Sequence, residues 1–192
     1  TLKRSGYDLT GQNGELYFDT NEEKQAKVFF ETLKNKFVIL WALNGSSRHK
    51  VYPLMETVLK EVFKKNPNVV CITVGDQTAR LLEFEHPQLI PMAAKWNIRE
   101  SLIATKYVDL VVGPETMITN ASGCFDTPKI TLLSHSTKEN LTKYWKNDYS
   151  IEPDQTIAPC YPCHQLHYSL ESCPIGTVVD TSTNEEIGKS PM

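Results

Sequence analysis

Long hydrophobic runs are missing from this 192-residue sequence. No apolar stretch approaches the roughly 20 residues that a membrane-spanning helix needs. The opening "TLKRSGYDLTG" has none of the apolar segment of a signal peptide and no initiator Met, so the sequence reads as a piece of a longer chain. Basic excess is missing too. Lys and Arg number 20 against 23 Asp and Glu, a net charge of −3, with no long block of either sign. A nucleic-acid footprint needs a basic face, so that class of partner is not expected. The sequence has no Walker A loop and no G-x-G-x-x-G fingerprint, which argues against an ATPase or a dehydrogenase. It also has no G-x-S-x-G elbow, no H-E-x-x-H helix and no repeat of solenoid period.

What is present is ordinary soluble composition, 40% apolar and 22% charged, in a chain long enough for one domain with a proper core. "KFVILWAL" (36–43) and "NVVCITVGD" (68–76) open as continuous apolar runs of strand length, as expected of strands covered on both faces. "PQLIPMA", "VDLVVG" (108–113) and "KITLLS" (129–134) are further strand candidates. Helical patterns lie between them. Thr20 and Glu23 have capping-box spacing ahead of Ala26, Phe29, Phe30 and Leu33, and Pro53 is placed to open a helix carrying Val58, Leu59, Val62 and Phe63. "QTARLLEFE", "NIRESLIATKY" and "TMITNASGCF" read as helices, and "STKENLTKYW" opens with Ser136 and Glu139 at capping-box spacing. Strands alternating with helices predict an α/β fold, a Rossmann-like parallel sheet with helices on both faces. Residues 1–19 read as a connecting arm, 20–145 as the domain, and 146–192 as an irregular extension in which "GTVVD" is a strand candidate.

Polar residues fall where the strands end. Asn44, Gly45, Ser46, Ser47, Arg48, His49 and Lys50 follow the first strand, and Gly75 and Asp76 the second. Gly113, Glu115 and Thr116 follow the fourth, and Ser134, His135 and Ser136 the fifth. In a parallel sheet these loops share one edge, the edge where such sheets bind ligands. A helix start offers backbone N–H groups and the positive end of a dipole to an anion, and Arg48 and Lys50 add positive charge. The pattern fits a phosphorylated ligand. Each loop taken singly is equally a plain turn.

"GSSRHKVYP", "VGDQTARLLE" and "WNIRESLIATKYVDLVVGPETMITNASGCFDTPKITLLSHST" together resemble the C-terminal domain of the ADP-heptose:lipopolysaccharide heptosyltransferases, glycosyltransferase family 9. The resemblance covers about residues 20–145 and implies the C-terminal half of a two-domain GT-B fold, which binds the nucleotide-sugar donor. It implies that Lys50, after the Ser46–Ser47 loop, contacts the donor phosphates, and that Glu115 and Thr116 open the helix whose amides hold the diphosphate. Gly75 and Asp76 would approach the ribose, Trp96 would flank the base, and Ser134 and His135 would reach toward the cleft. Met117 stands where the family has glycine, Asn120 where it has histidine, Glu115 for aspartate and Tyr52 for tryptophan. A side chain at 117 would crowd a phosphate approaching the amides. The implied partners are a nucleotide-sugar and, through an N-terminal domain absent from this sequence, a glycan or lipopolysaccharide acceptor, with no cofactor required. The implied setting is cytoplasmic, at the inner membrane face. The alternative is a non-catalytic nucleotide- or sugar-phosphate-binding module, and a third reading is a nucleotide-sugar epimerase or hydrolase.

Of five cysteines, Cys71 and Cys124 fall in core-like segments and read as inert thiols. Cys160, Cys163 and Cys173 cluster in the extension. Cys160 and Cys163 have zinc-knuckle spacing that His164, His167 or Cys173 would complete, while a disulfide or a thiol packing cluster fits equally.

Overall fold

The computed structural model describes residues 14–46, 50–163, 177–179 and 186–188. Its centre is a five-stranded sheet of β1 (Phe37–Ala42), β2 (Val69–Val74), β3 (Leu89–Pro91), β4 (Leu110–Pro114) and β5 (Lys129–Leu132). The spatial order is β3-β2-β1-β4-β5 and every pairing is parallel. The two long apolar runs became β1 and β2, two of the three inner strands, because both of their faces are covered. Ile39, Trp41 and Leu43 pack on one side with Met55, Leu59 and Phe63 of α2 (Met55–Lys65). Val38, Leu40 and Ala42 pack on the other with Phe29, Phe30 and Leu33 and with Ala104 of α3 (Ile98–Tyr107). The strand side-chain period of two sends alternate residues to opposite cores.

Several local expectations shift. The first helix, α1 (Thr20–Glu31), is capped one residue earlier than the Thr20–Glu23 reading: Asp19 accepts from the amides of Asn21 and Glu22, and Glu22 returns the bond to Asp19 N–H. Pro53 does not open α2; a turn intervenes and Leu54 sits at the N-cap with no side-chain bond. "QTARLLEFE" yields only a 3-10 turn, Ala79–Leu82, because Glu83 turns extended and bonds Thr73 Oγ1 at 2.6 Å and Ala93 N at 3.0 Å. After β4 comes α4 (Met117–Ser122), and after β5 comes the short α5 (Lys138–Leu141), capped by Thr137 on Asn140 rather than by Ser136 on Glu139.

The described start of the extension is tied to the sheet. Residues 147–151 run beside β5 like a sixth strand, with Lys129 N to Asn147 O at 3.0 Å, Tyr149 N to Lys129 O at 2.8 Å and Ile151 N to Thr131 O at 2.9 Å. These bonds cover what would otherwise be an unpaired edge. Farther on, β6 (Thr177–Val179) pairs antiparallel with β7 (Glu186–Gly188), the former falling in the expected "GTVVD".

Candidate ligand cleft

Successive connections step from β1 outward to β2 and β3, and then from β4 outward to β5 on the other side. The gap between β1 and β4 is therefore a topological switch point, where loops part and leave a crevice at the strands' carboxyl ends. A cleft of about 630 Å³ occupies that place. Ser46, Lys50, Gly75, Asp76 and Trp96 line it from the β1, β2 and β3 connections. Glu115, Thr116, Met117 and Asn120 line it from the β4 connection, and His135 from the β5 connection. Ser47 lies outside the described residues. Gly113 is within β4 and does not line the cleft; a Cβ there would meet Ala42 Cβ at 2.8 Å, so this glycine lets β4 close on β1.

Lys50 sits at the centre of the arrangement. It is 1% exposed, and its Nζ donates to the carbonyl of Glu115 at 3.1 Å, so the first loop and the head of α4 do meet. Gly45 makes room: a Cβ there would come within 2.9 Å of Lys50 Cδ. Burial pushes the Lys50 ammonium below its ordinary pKa, and the negative charge of Glu115 opposes that shift.

The Glu115 side chain is occupied. The residue is 8% exposed, and its carboxylate accepts the His135 amide at 2.9 Å and the Ser136 amide at 2.6 Å. It fastens the β4 connection to the β5 connection. Thr116 is occupied as well. Its hydroxyl caps Ile118 N at 3.2 Å and Thr119 N at 3.4 Å, while Thr119 Oγ1 accepts Thr116 N at 3.0 Å. Three amides expected to face an anion are thus bonded within the chain, and Met117 stands beside them 46% exposed.

Toward β2, Asp76 Oδ1 collects four donors: Asn44 Nδ2, Thr78 N, Thr78 Oγ1 and Ala79 N. The Thr78 hydroxyl is the main cause holding this carboxyl below its usual range. Trp96 is half-buried and stands edge-on to Phe29, ring centroids 5.1 Å apart. At the β5 end, His135 Nδ1 lies 2.7 Å from the carbonyl of Cys163, a contact to the extension. The cleft also takes in Asn44 and Ser136, two of the polar strand-end residues, and Asn97, Ile98, Ser101 and Leu141, which the sequence reading did not place there. Asn97 had a usable signal: it heads α3 in a capping box with Glu100, and helices after parallel strands begin at this edge.

Of the metal-ligand set, Cys160 and Cys163 are half-buried free thiols, and His164 and Cys173 lie outside the described residues. Among the described residues no group of three or more His, Cys, Asp or Glu is placed to hold a metal ion. Cys71 is buried, with its thiol pushed well above the usual range.

No protein-family model matches this chain, and no curated protein matches it in sequence. Solved structures do match. The crystal structure of a glycosyl transferase family 9 protein from Veillonella parvula superposes with a TM-score of 0.64 at 13% identity, over 79% of this chain and 46% of its own. The E. coli ADP-heptose lipopolysaccharide heptosyltransferase II gives 0.57 at 11% identity, over 71% and 44%. The fold is heptosyltransferase-like. A third match, the dodecameric iron-containing heptosyltransferase TibC in complex with ADP-D-beta-D-heptose, gives 0.51 at 10% identity, over 72% and 38%. This chain spans less than half the length of each of these proteins. No helix among the described residues is long and apolar enough to cross a membrane.

Proposed function

We propose that this chain binds a nucleotide-diphosphate sugar across the carboxyl edge of its sheet and serves as the donor-binding half of a glycosyltransferase. The observation that carries the reading is Lys50, a buried lysine whose ammonium stands at the switch point between β1 and β4, inside the cleft. A positive charge held at this place in the cleft suits an anionic guest. The remaining geometry supplies a direction. Asp76 and Trp96, toward β2 and β3, suit a ribose and a base. Lys50 in the middle suits the phosphates, which leaves the sugar to the β5 end.

In the transfer, a bond forms between an acceptor oxygen and the anomeric carbon while the bond from that carbon to the phosphate oxygen breaks. Negative charge grows on the departing nucleoside diphosphate, and Lys50 stabilises it. Losing one such preorganised donor raises a barrier by about 3 kcal/mol. The acceptor must also surrender a proton to a base. Both oxygens of Glu115 are bonded to the β5 loop, so that base and the acceptor site belong to a partner domain. A glycan or lipopolysaccharide acceptor belongs to this reading through the same domain.

A thermal-shift panel of ADP, UDP, GDP and CDP with their sugars identifies the ligand, since one present at 100 times its Kd adds about 2.7 kcal/mol to stability. Lys50→Ala should then weaken binding of the selected nucleoside diphosphate at least tenfold by calorimetry. Unchanged affinity refutes the reading. The internal capping at α4 favours one second reading, a binding module without catalysis. Turnover of the nucleotide-sugar by the full-length protein with acceptor would set that aside.

A further inference from the structure

The cleft wall at the β5 end is His135 and Ser136, and the turn that carries them, from the buried Ser134 onward, is gripped from two sides. Glu115 holds the amides of His135 and Ser136 from within. The C-terminal extension holds all three residues from without. Cys163 N–H donates to Ser134 O at 3.1 Å, His135 Nδ1 lies 2.7 Å from Cys163 O, and the Tyr161 hydroxyl lies 2.9 Å from Ser136 O. The same phenolic proton is shared with Glu152 Oε1, also at 2.9 Å. Tyr161 is 8% exposed and packs with Leu133 and Ala158, so its ring is fixed before its hydroxyl is spent. A turn between a strand and a short helix does not need a third segment to form. The extension therefore does something for the cleft that the sheet does not require.

We propose that Tyr161 is a positioning residue for the sugar end of the ligand, setting the His135–Ser136 wall through Ser136. The proposal rests on the nucleotide-sugar reading, because that reading places the nucleoside near Asp76, the phosphates at Lys50 and the sugar against this wall. Tyr161→Phe removes the hydroxyl and keeps the ring in its packing.

The test is calorimetry on the whole chain with ADP, UDP and GDP, and with ADP-glucose, UDP-glucose, UDP-N-acetylglucosamine and GDP-mannose, together with amide exchange at His135 and Ser136. The variant should keep its affinity for the nucleoside diphosphate within about twofold, while the extra affinity contributed by the sugar falls about five- to tenfold, the scale of one lost hydrogen bond. Exchange at the two amides should quicken. Cys163→Ser should match the wild type, because Cys163 grips the wall through its main chain. Equal losses for diphosphate and sugar nucleotide, no loss for either, or the same split in Cys163→Ser would each overturn the proposal. So would a wild type that binds nucleoside diphosphates yet gains nothing from any of these sugars. A wild type that binds none of the diphosphates overturns the proposed function itself, and this inference with it.

Discussion

Glu115→Ala is the most exacting perturbation of this fold. The wild-type carboxylate accepts two amides, from His135 at 2.9 Å and Ser136 at 2.6 Å; the Ser134 hydroxyl at 3.5 Å is too distant to count. A hydrogen bond to a charged group contributes about 1.5–3 kcal/mol, and an amide left without a partner costs about 1–3 kcal/mol when buried. His135 and Ser136 are only half-buried, so water recovers part of that cost. The two bonds together then predict a loss of about 2–4 kcal/mol. Glu115→Gln, which keeps the shape and one acceptor oxygen but turns an NH2 toward an N–H, should lose about half as much. Urea unfolding followed by circular dichroism reads both. The Lys50 hydrogen bond uses the main-chain carbonyl of Glu115 and survives both substitutions, while both equally remove the negative charge that supports the Lys50 ammonium, so the difference between the two variants belongs to the loop. A change below about 0.5 kcal/mol for Glu115→Ala, with unaltered amide exchange at 135 and 136, would refute the role assigned to this carboxylate.

Two further predictions concern the scaffold. The Arg99 guanidinium, bonded through Nε to Glu22 Oε1 and through a terminal nitrogen to Oε2, both at 2.6 Å, holds the Glu22 carboxyl down from 4.5 to about 2. A depressed carboxyl adds stability above its unfolded pKa and loses it as pH falls through the folded one. The urea-midpoint gap between wild type and Arg99→Ala should therefore close as pH drops from about 4.5 to about 2, and 1 M salt should narrow it at neutral pH because the pair is exposed. A gap independent of pH would show that Arg99 acts through its bond to the Tyr17 carbonyl and its contact with the Phe18 ring rather than through Glu22. Gly123→Ala should destabilise by about 1–3 kcal/mol through overpacking, because its Cβ would meet the Trp145 ring at 2.6 Å although the backbone there is ordinary helix. A thermal midpoint unchanged from wild type would contradict that steric cost.

The sheet was legible in the sequence because its inner strands are buried on both faces, and such strands leave uninterrupted runs such as "FVILWA" and "VVCITV". Helix boundaries were less legible because the text is ambiguous. "DTNEE" contains two overlapping capping boxes, and the chain uses Asp19–Glu22 rather than Thr20–Glu23. In "STKEN" the choice falls on Thr137 and Asn140. The lost helix at 77–85 has a tertiary cause. Glu83, a good helix former locally, is drawn off to Thr73 on β2 and to the Ala93 amide, and local propensity does not register partners that distant. The extension was the least legible region. Its main-chain bonds to β5 and Tyr161's reach to Ser136 depend on no periodic pattern.

For the cleft, strand-end polarity located the residues, but sequence could not assign their partners. Glu115 and Asp76 were read as groups facing a ligand, yet Glu115 accepts from the β5 loop and Asp76 from Asn44 and from its own turn. The α4 head gives the fuller lesson. In the resembling family a glycine follows the acid-Thr pair and leaves the amides open to a phosphate; here Met117 occupies that position, and Thr116 and Thr119 cap three amides themselves. The two departures fit together physically. Once side-chain oxygens satisfy the helix start, no bare backbone approach is needed and a glycine has nothing left to permit, so a methionine can stand there half-exposed. The capping by Thr116 and Thr119 leaves fewer free backbone donors at this end of the cleft. Whatever anion binds at the switch point must then lean on Lys50 more heavily than in a protein that also offers free amides, which is why substituting this one lysine is the perturbation to which the nucleotide-sugar reading is most vulnerable.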